Sequence, residues 1–253
     1  MTQAVARRRA VALAALGVGI GAPLAAAHGQ AAGDGFLFRR PRGALAVRVG
    51  YDQALARSDF FRDATDRLTL TRRGFGGPAV AADVAFGLGG RLDLAISGGV
   101  ARSVQDSEYR DFVGVDDLPI AQRTTFTRVP VTAALRYYLA PRGEQVGRFA
   151  WVPGGVAPFV AAGVGGVYYA LRQQGEVLNE ATLVAFPADL RSSGVAPAVL
   201  GAAGVDVSLS PRFFATAEAR YTRARVRLDQ PFRGFEPLDL SGVALTAGVA
   251  VRF

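Results

Sequence analysis

The chain of 253 residues contains no cysteine, and its single histidine, His28, lies close to its start. Without thiols there is no disulfide scaffold, no thiolate metal site and no cysteine nucleophile. With one early imidazole, most of the chain also lacks a histidine base or metal ligand. Lysine is missing too. All 29 basic residues are arginine, set against 21 acids for a formal charge of +8. Past residue 30 no uninterrupted apolar run is long enough for a membrane helix. Yet half the residues are apolar, which excludes a disordered chain, and glycine is plentiful at 31.

The first thirty residues read as a leader. Arg7, Arg8 and Arg9 form a basic start, Ala10 to Gly21 an apolar core, and Pro23 a break. Ala25-Ala26-Ala27 supplies a small-residue cleavage site, so a signal peptide is expected over 1–27, cut after Ala27 or Ala31. The alternative is a membrane anchor over Ala10 to Ala27, but that run holds three glycines and a proline and few large side chains. A short lead-in would then occupy 28–43 and the main domain 44–253.

The rest alternates with a period of two, the signature of strands. The last segment is the clearest: Val243, Leu245, Ala247, Val249, Val251 and Phe253 share one face, and Thr246 and Arg252 lie on the other. Similar segments are expected near 44–53, 78–88, 91–104, 124–140, 195–210 and 213–228. In 156–174 the phase is ambiguous, because both faces are apolar or glycine. That makes eight strands. Gly89-Gly90 and Ser210-Pro211-Arg212 read as tight turns, whereas 54–77, 105–123, 175–194 and 229–239 read as long loops. The connection 141–155, which holds Trp151, is left open between a turn and longer strands. Short turns at one end and long loops at the other predict an all-β fold, an eight-stranded antiparallel transmembrane β-barrel of up-and-down topology. A soluble sandwich is the alternative, but it would not turn several formal charges towards its interior.

Two stretches carry a resemblance. Val249-Ala250-Val251-Arg252-Phe253 resembles the terminal strand of bacterial outer-membrane barrels. Pro158-Phe159-Val160-Ala161-Ala162-Gly163-Val164-Gly165-Gly166-Val167-Tyr168-Tyr169 is similar to a strand of the small eight-stranded barrels of the OmpA, OmpW and opacity-adhesin type, as is Val129 to Leu139. The resemblance implies an outer-membrane location with both termini in the periplasm. It also implies that Phe253 is read by the barrel-assembly machinery. The expected role is non-enzymatic, structural or surface-interacting, with an external ligand met through loops 54–77, 105–123, 175–194 and 229–239. The alternative is a narrow channel for small or hydrophobic solutes.

If the alternation holds, Arg48, Asp83, Asp93, Arg128, Arg136, Asp206, Glu218, Arg220 and Arg252 face the lumen. Eight strands enclose little more than room for side chains, and unpaired buried charges are costly, so a salt-bridge network is expected. Within it, Glu218 and Arg220 are expected to join Asp206 and Arg136. The functional alternative is a polar path for a small solute. Asp83, Asp93 and Glu218 could be sought as an acid–base pair, but interleaved arginines favour a structural role. The glycine runs 74–77 and 163–166 lack the lysine and the strand–loop–helix setting of a phosphate loop. Arginine dispersed among acids does not make a nucleic-acid surface. No cofactor and no metal site is expected.

The segment 213–228 carries one sharper expectation. Its odd face runs Phe213, Ala215, Ala217, Ala219, Tyr221 and continues as Arg223, Arg225, Arg227. From Phe213 to Tyr221 spans about 27 Å of strand, roughly 20 Å of height when tilted, near the apolar band of an outer-membrane barrel. The three arginines would then stand at lipid headgroup level, with outer-membrane lipids and lipopolysaccharide phosphate as their partner. The alternative is a solvated strand extension.

Overall fold

The computed structural model describes residues 35–114, 117–179, 184–228 and 234–253. The expected leader, both cleavage positions and residues 229–233 of the last expected loop lie outside them. In chain order the strands are β1 (Gly43–Ala54), β2 (Gly77–Gly87), β3 (Leu92–Val113), β4 (Pro119–Tyr138), β5 (Gly143–Val146), β6 (Ala150–Pro153), β7 (Val156–Asn179), β8 (Val184–Ser208), β9 (Phe213–Val226), β10 (Leu238–Asp239) and β11 (Gly242–Arg252). One helix, α1 (Asp59–Arg67), lies between β1 and β2. Among the described residues no helix is long and apolar enough to cross a membrane.

Eight strands close into a ring in the order β1, β2, β3, β4, β7, β8, β9, β11, all antiparallel, and β11 returns to β1. The register fixes the shape of this ring. Ala44 opposes Ala85, and the perpendicular row continues through Ala95, Ala134, Gly163, Leu200, Thr222 and Gly242. Gly242 then opposes Ala54, ten residues further along β1 than the starting point. A shear of ten over eight strands tilts them by roughly 40°. At that tilt roughly ten residues cross an apolar band. β1, β2, β9 and β11, with 11 to 14 residues, do little more than cross, whereas β3, β4, β7 and β8, with 20 to 25, run about twice as far.

That length corrects the expected loops 105–123 and 175–194. Most of both are strand: β3 pairs β4 out to Val113 and Pro119, and β7 pairs β8 out to Asn179 and Val184. Beyond the band the outward face of these strands meets water and the inward face packs against the filling of the mouth, so the apolar alternation that marks a membrane strand is lost although the ladder continues. The connection 141–155 is settled as well. It folds into the hairpin β5–β6, and its buried Trp151 bridges to Leu37 of the lead-in. This hairpin, both tight turns and the chain end all lie at one end of the ring, called here the terminal end.

Candidate functional site

Parity along each strand sorts side chains into two surfaces. Large apolar residues point outward: Val47, Val49 and Tyr51 on β1, Val131 and Leu135 on β4, Leu245 and Val249 on β11 are all about half exposed or more. Polar and charged residues point inward. Arg48, at 1% exposure, is among the most buried side chains in the protein.

The inward charges converge at mid-height on four strands. Glu218 of β9 is the hub. Its Oε1 lies 2.8 Å from Arg48 Nη1 of β1 and accepts from Arg220 Nε at 2.8 Å, and its Oε2 accepts from Arg136 Nη2 of β4 at 3.4 Å. Arg48 also pairs with Asp83 of β2. Arg220 donates to Ser97 Oγ at 3.2 Å and to Thr132 Oγ1 at 3.4 Å, and Arg136 stacks over Phe159 at 4.3 Å. Five charged side chains from β1, β2, β4 and β9 thus span the lumen as one cluster. Small inward residues such as Ala95, Ala134 and Gly163 leave them the room.

Asp206 does not join this cluster, which corrects that expectation. It opposes Thr216 on β9, two residues nearer the terminal end than Glu218, and accepts from the Tyr138 hydroxyl at 2.9 Å. A second group forms there. Arg142 pairs with Asp93 at 2.6 Å and stacks over Tyr138 at 4.6 Å. Among the described residues Arg252 has no carboxylate within ion-pair distance. It stacks over Phe214 at 4.4 Å and donates to Ser208 Oγ at 2.8 Å, so it braces the β8–β9 turn. Towards the other end Arg128 pairs with Asp52 at 3.0 Å.

Above Arg128 the lumen changes character. α1 and the residues after it fold into the mouth of the ring, where Phe60, Phe61, Leu68, Leu70 and Phe75 pack against Phe126 of β4 and Tyr169 and Leu171 of β7. Phe61 meets Phe75 at 4.7 Å and Phe126 at 5.7 Å, both edge to face. Asp59 fastens this plug to the last loop by accepting from the Glu236 N–H at 2.8 Å. The expected loop 54–77 is therefore a packed stopper.

Besides the register shift between Glu108 and Val113 near the far end of β3, a break interrupts the wall lower down. The β3–β4 ladder omits Gly99 and Val100 and their counterparts Val129 and Pro130. Pro130 has no N–H to give. A cavity of about 40 Å³ adjoins this gap, touching Gly99, Pro130, Glu218 and Arg220, with room for one to three waters.

Outside, Arg223 and Arg225 are exposed on the odd face of β9, beyond Tyr221, and Arg227, one residue past the end of the strand, is exposed too. Arg223 opposes Val199, and Arg225 opposes Asp239 of β10. Phe253 closes the seam: it lies over Gly43, where an added Cβ would meet its ring at 2.7 Å, and its carbonyl oxygen accepts from the N–H groups of Arg42 and Gly43.

A closed ring with a charged inside and a greasy outside is inverted relative to a water-soluble protein, and only a bilayer satisfies that surface. The chain is an eight-stranded transmembrane β-barrel. No protein-family model matches the sequence, and no curated protein matches it significantly. Solved structures do. Neisserial surface protein A is 14% identical, with 87% of this chain and 97% of that one covered and a TM-score of 0.46. The outer membrane protein OprG of Pseudomonas aeruginosa is 12% identical, covering 86% and 99%, with a TM-score of 0.45. Ail, the attachment invasion locus protein of Yersinia pestis, is 14% identical, covering 84% and 99%, with a TM-score of 0.40. The description of the barrel rests on its own ring of strands and not on these distant alignments.

Several barrel residues were missed in the sequence. Asp52 shares the even face of β1 with Arg48, so its phase could have placed it in the lumen. Phe60, Ala64 and Leu68 repeat every fourth residue, a helical spacing hidden among Asp59, Arg62, Asp63, Asp66 and Arg67. Tyr138 shares the even face of β4 with Arg136 in the same way, whereas Arg142, past the end of that strand, gave no comparable signal.

Proposed function

We propose that the protein is a non-enzymatic barrel of the outer membrane, with its termini in the periplasm, that acts through the surface it projects at the opposite end. The observation that carries this reading is the contrast between a filled lumen and long walls. Five clustered charges and an aromatic stopper occupy the inside, while β3, β4, β7 and β8 rise well beyond the apolar band and offer a rigid platform. Arg223, Arg225 and Arg227 stand about 7 Å apart along the outward face. That spacing, just past the girdle residue Tyr221, suits guanidinium forks that grip lipopolysaccharide phosphates. Phe253, at the seam, serves as the assembly signal.

Two measurements test this reading. In planar bilayers the parent barrel is expected to stay silent. Steady conductance in the parent would favour instead a narrow channel for small solutes, for which the cavity beside Pro130 is the specific support. In a thermal-shift titration lipopolysaccharide is expected to stabilise the parent and not the variant Arg223→Gln/Arg225→Gln/Arg227→Gln. Equal stabilisation of both would remove the stripe from the account.

A further inference from the structure

Several arginines of the long-loop end are paired: Arg123 with Asp106, Arg172 and Arg191 with Asp189, and Arg67 with Asp63. At the terminal end Arg39, Arg42 and Arg212 are exposed, and none has a carboxylate within ion-pair distance among the described residues. Arg40 beside them is committed elsewhere, donating to the carbonyls of Gly89 and Gly90 at 3.0 and 2.6 Å and so tying the lead-in to the β2–β3 turn. The three free cations border one open hollow of about 760 Å³.

The wall of this hollow is apolar. Gly43 of β1 sits directly between Phe86 of β2 and the chain-terminal Phe253. Both rings point outward and are about half exposed. The Phe253 ring covers Gly43, so the two outward aromatics form one apolar face that borders the hollow beside the guanidiniums of the rim. The lead-in through Pro41 and Leu37 bounds its far side.

We infer that this hollow is a binding site for one phospholipid molecule of the leaflet at the terminal end. The phosphate would lie among Arg39, Arg42 and Arg212, with an acyl chain along Phe86 and Phe253. Three guanidiniums outweigh the one terminal carboxylate of Phe253 at the same hollow and call for a further anion, and the exposed Phe86 and Phe253 rings beside them call for a hydrocarbon tail in the bilayer. The same chemistry does not fit a soluble sugar phosphate, which has no tail. This inference needs only a membrane-spanning barrel. It is independent of the lipopolysaccharide stripe, which lies at the opposite end.

The probe is dioleoyl phosphatidylglycerol, titrated in native mass spectrometry against the folded chain in a neutral detergent. The parent is expected to retain one lipid at a collision energy that strips the rest. Arg39→Gln/Arg42→Gln/Arg212→Gln is expected to retain it roughly tenfold less or weaker still, since each arginine near a charged lipid surface contributes appreciably. Phe86→Ala should weaken retention without changing the rim charge. Heat-modifiable mobility on gels checks that each variant is folded. Retention by the triple variant equal to the parent would overturn the inference. So would displacement of the lipid by inorganic phosphate at matched concentration, which would mean a site for free phosphate. Loss of the lipid from Arg223→Gln/Arg225→Gln/Arg227→Gln in place of the rim variant would overturn it as well, and would locate binding on the stripe.

Discussion

The lower and upper halves of the lumen fill the same tube by opposite means. Near the terminal end the strands themselves carry the filling, with Arg48, Asp83, Arg136 and Glu218 locked together at exposures of a few per cent and the partly buried Arg220 joined to them. Near the long-loop end a separate segment, α1, brings aromatic side chains in from outside. A charged filling depends on every partner, because a buried charge left alone is far more costly than a missing methyl group. An aromatic filling tolerates partial loss, because it rests on many weak contacts. The lower half should therefore behave as part of the wall and the upper half as a stopper that can loosen by itself.

The largest expected effect follows from removing the hub. Glu218→Ala leaves Arg48, Arg136 and Arg220 facing one another and should lower barrel stability by roughly 3–5 kcal/mol. The readout is urea unfolding followed by heat-modifiable gel mobility. An unfolding midpoint equal to the parent's would mean that water, not Glu218, neutralises the cluster. Next comes the seam. Deleting Phe253 removes the ring over Gly43 and the acceptor of the Arg42 and Gly43 N–H groups, and should reduce the yield of folded barrel in membranes. Wild-type yield would dismiss the assembly role.

Phe61→Ala sharpens the comparison from the other side. It should cost about 3 kcal/mol in the packing of the stopper, yet appear as faster proteolysis within 55–76 and not as a lower midpoint for the barrel. A fall in the global midpoint matching that of Glu218→Ala would show the two halves to be one cooperative unit. The smallest effect concerns the projecting β7–β8 hairpin. There Asp189 accepts from Arg172 at 2.6–2.8 Å and from Arg191 at 2.6–3.1 Å, and these bonds hold its carboxyl well below the usual carboxylate range. Its contribution is present above the ordinary carboxylate pKa and is lost only as pH falls through the depressed one. Carboxyl chemical shifts of Asp189 should hence stay constant from pH 7 to 4. A titration step near pH 4 would mean the pair is not formed in solution.

How far the sequence discloses this arrangement depends on what each residue answers to. β11 answers only to lipid on one side and lumen on the other, and Val243 to Phe253 spell that out. The inward charges are legible for the same reason: Asp83, Arg136 and Glu218 interrupt runs that a bilayer would otherwise make uniformly apolar. Their partners are not legible. Arg48 and Glu218 are 170 positions apart in the chain and meet only because of the offset at which the ring closes. The same holds for Asp206, whose choice of Tyr138 over Arg136 depends on a difference of two residues in height. The far halves of β3, β4, β7 and β8 are hidden for another reason. In Arg123-Thr124-Thr125-Phe126-Thr127 both faces are largely polar, so nothing in the pattern separates a ladder in water from a loop, and the inward Phe126 reads as an exception when it is the floor of the stopper.

The ten-residue offset at which the ring closes also governs which changes of length the chain can absorb. Losing one residue from the middle of β1 would swap its faces, sending Arg48 towards lipid and Val47 or Val49 into the charge cluster. Losing two would restore the faces but slip the closure, so that Phe253 no longer met Gly43. The wall thus behaves like a screw thread, and neither single nor paired deletions leave it both correctly faced and correctly seated. A connection between two staves, such as that from β3 to β4, is free of this arithmetic, because a residue added there shifts neither parity nor offset. Epitopes, fluorophores and natural length variation should accordingly be accommodated at such connections and rejected by the staves.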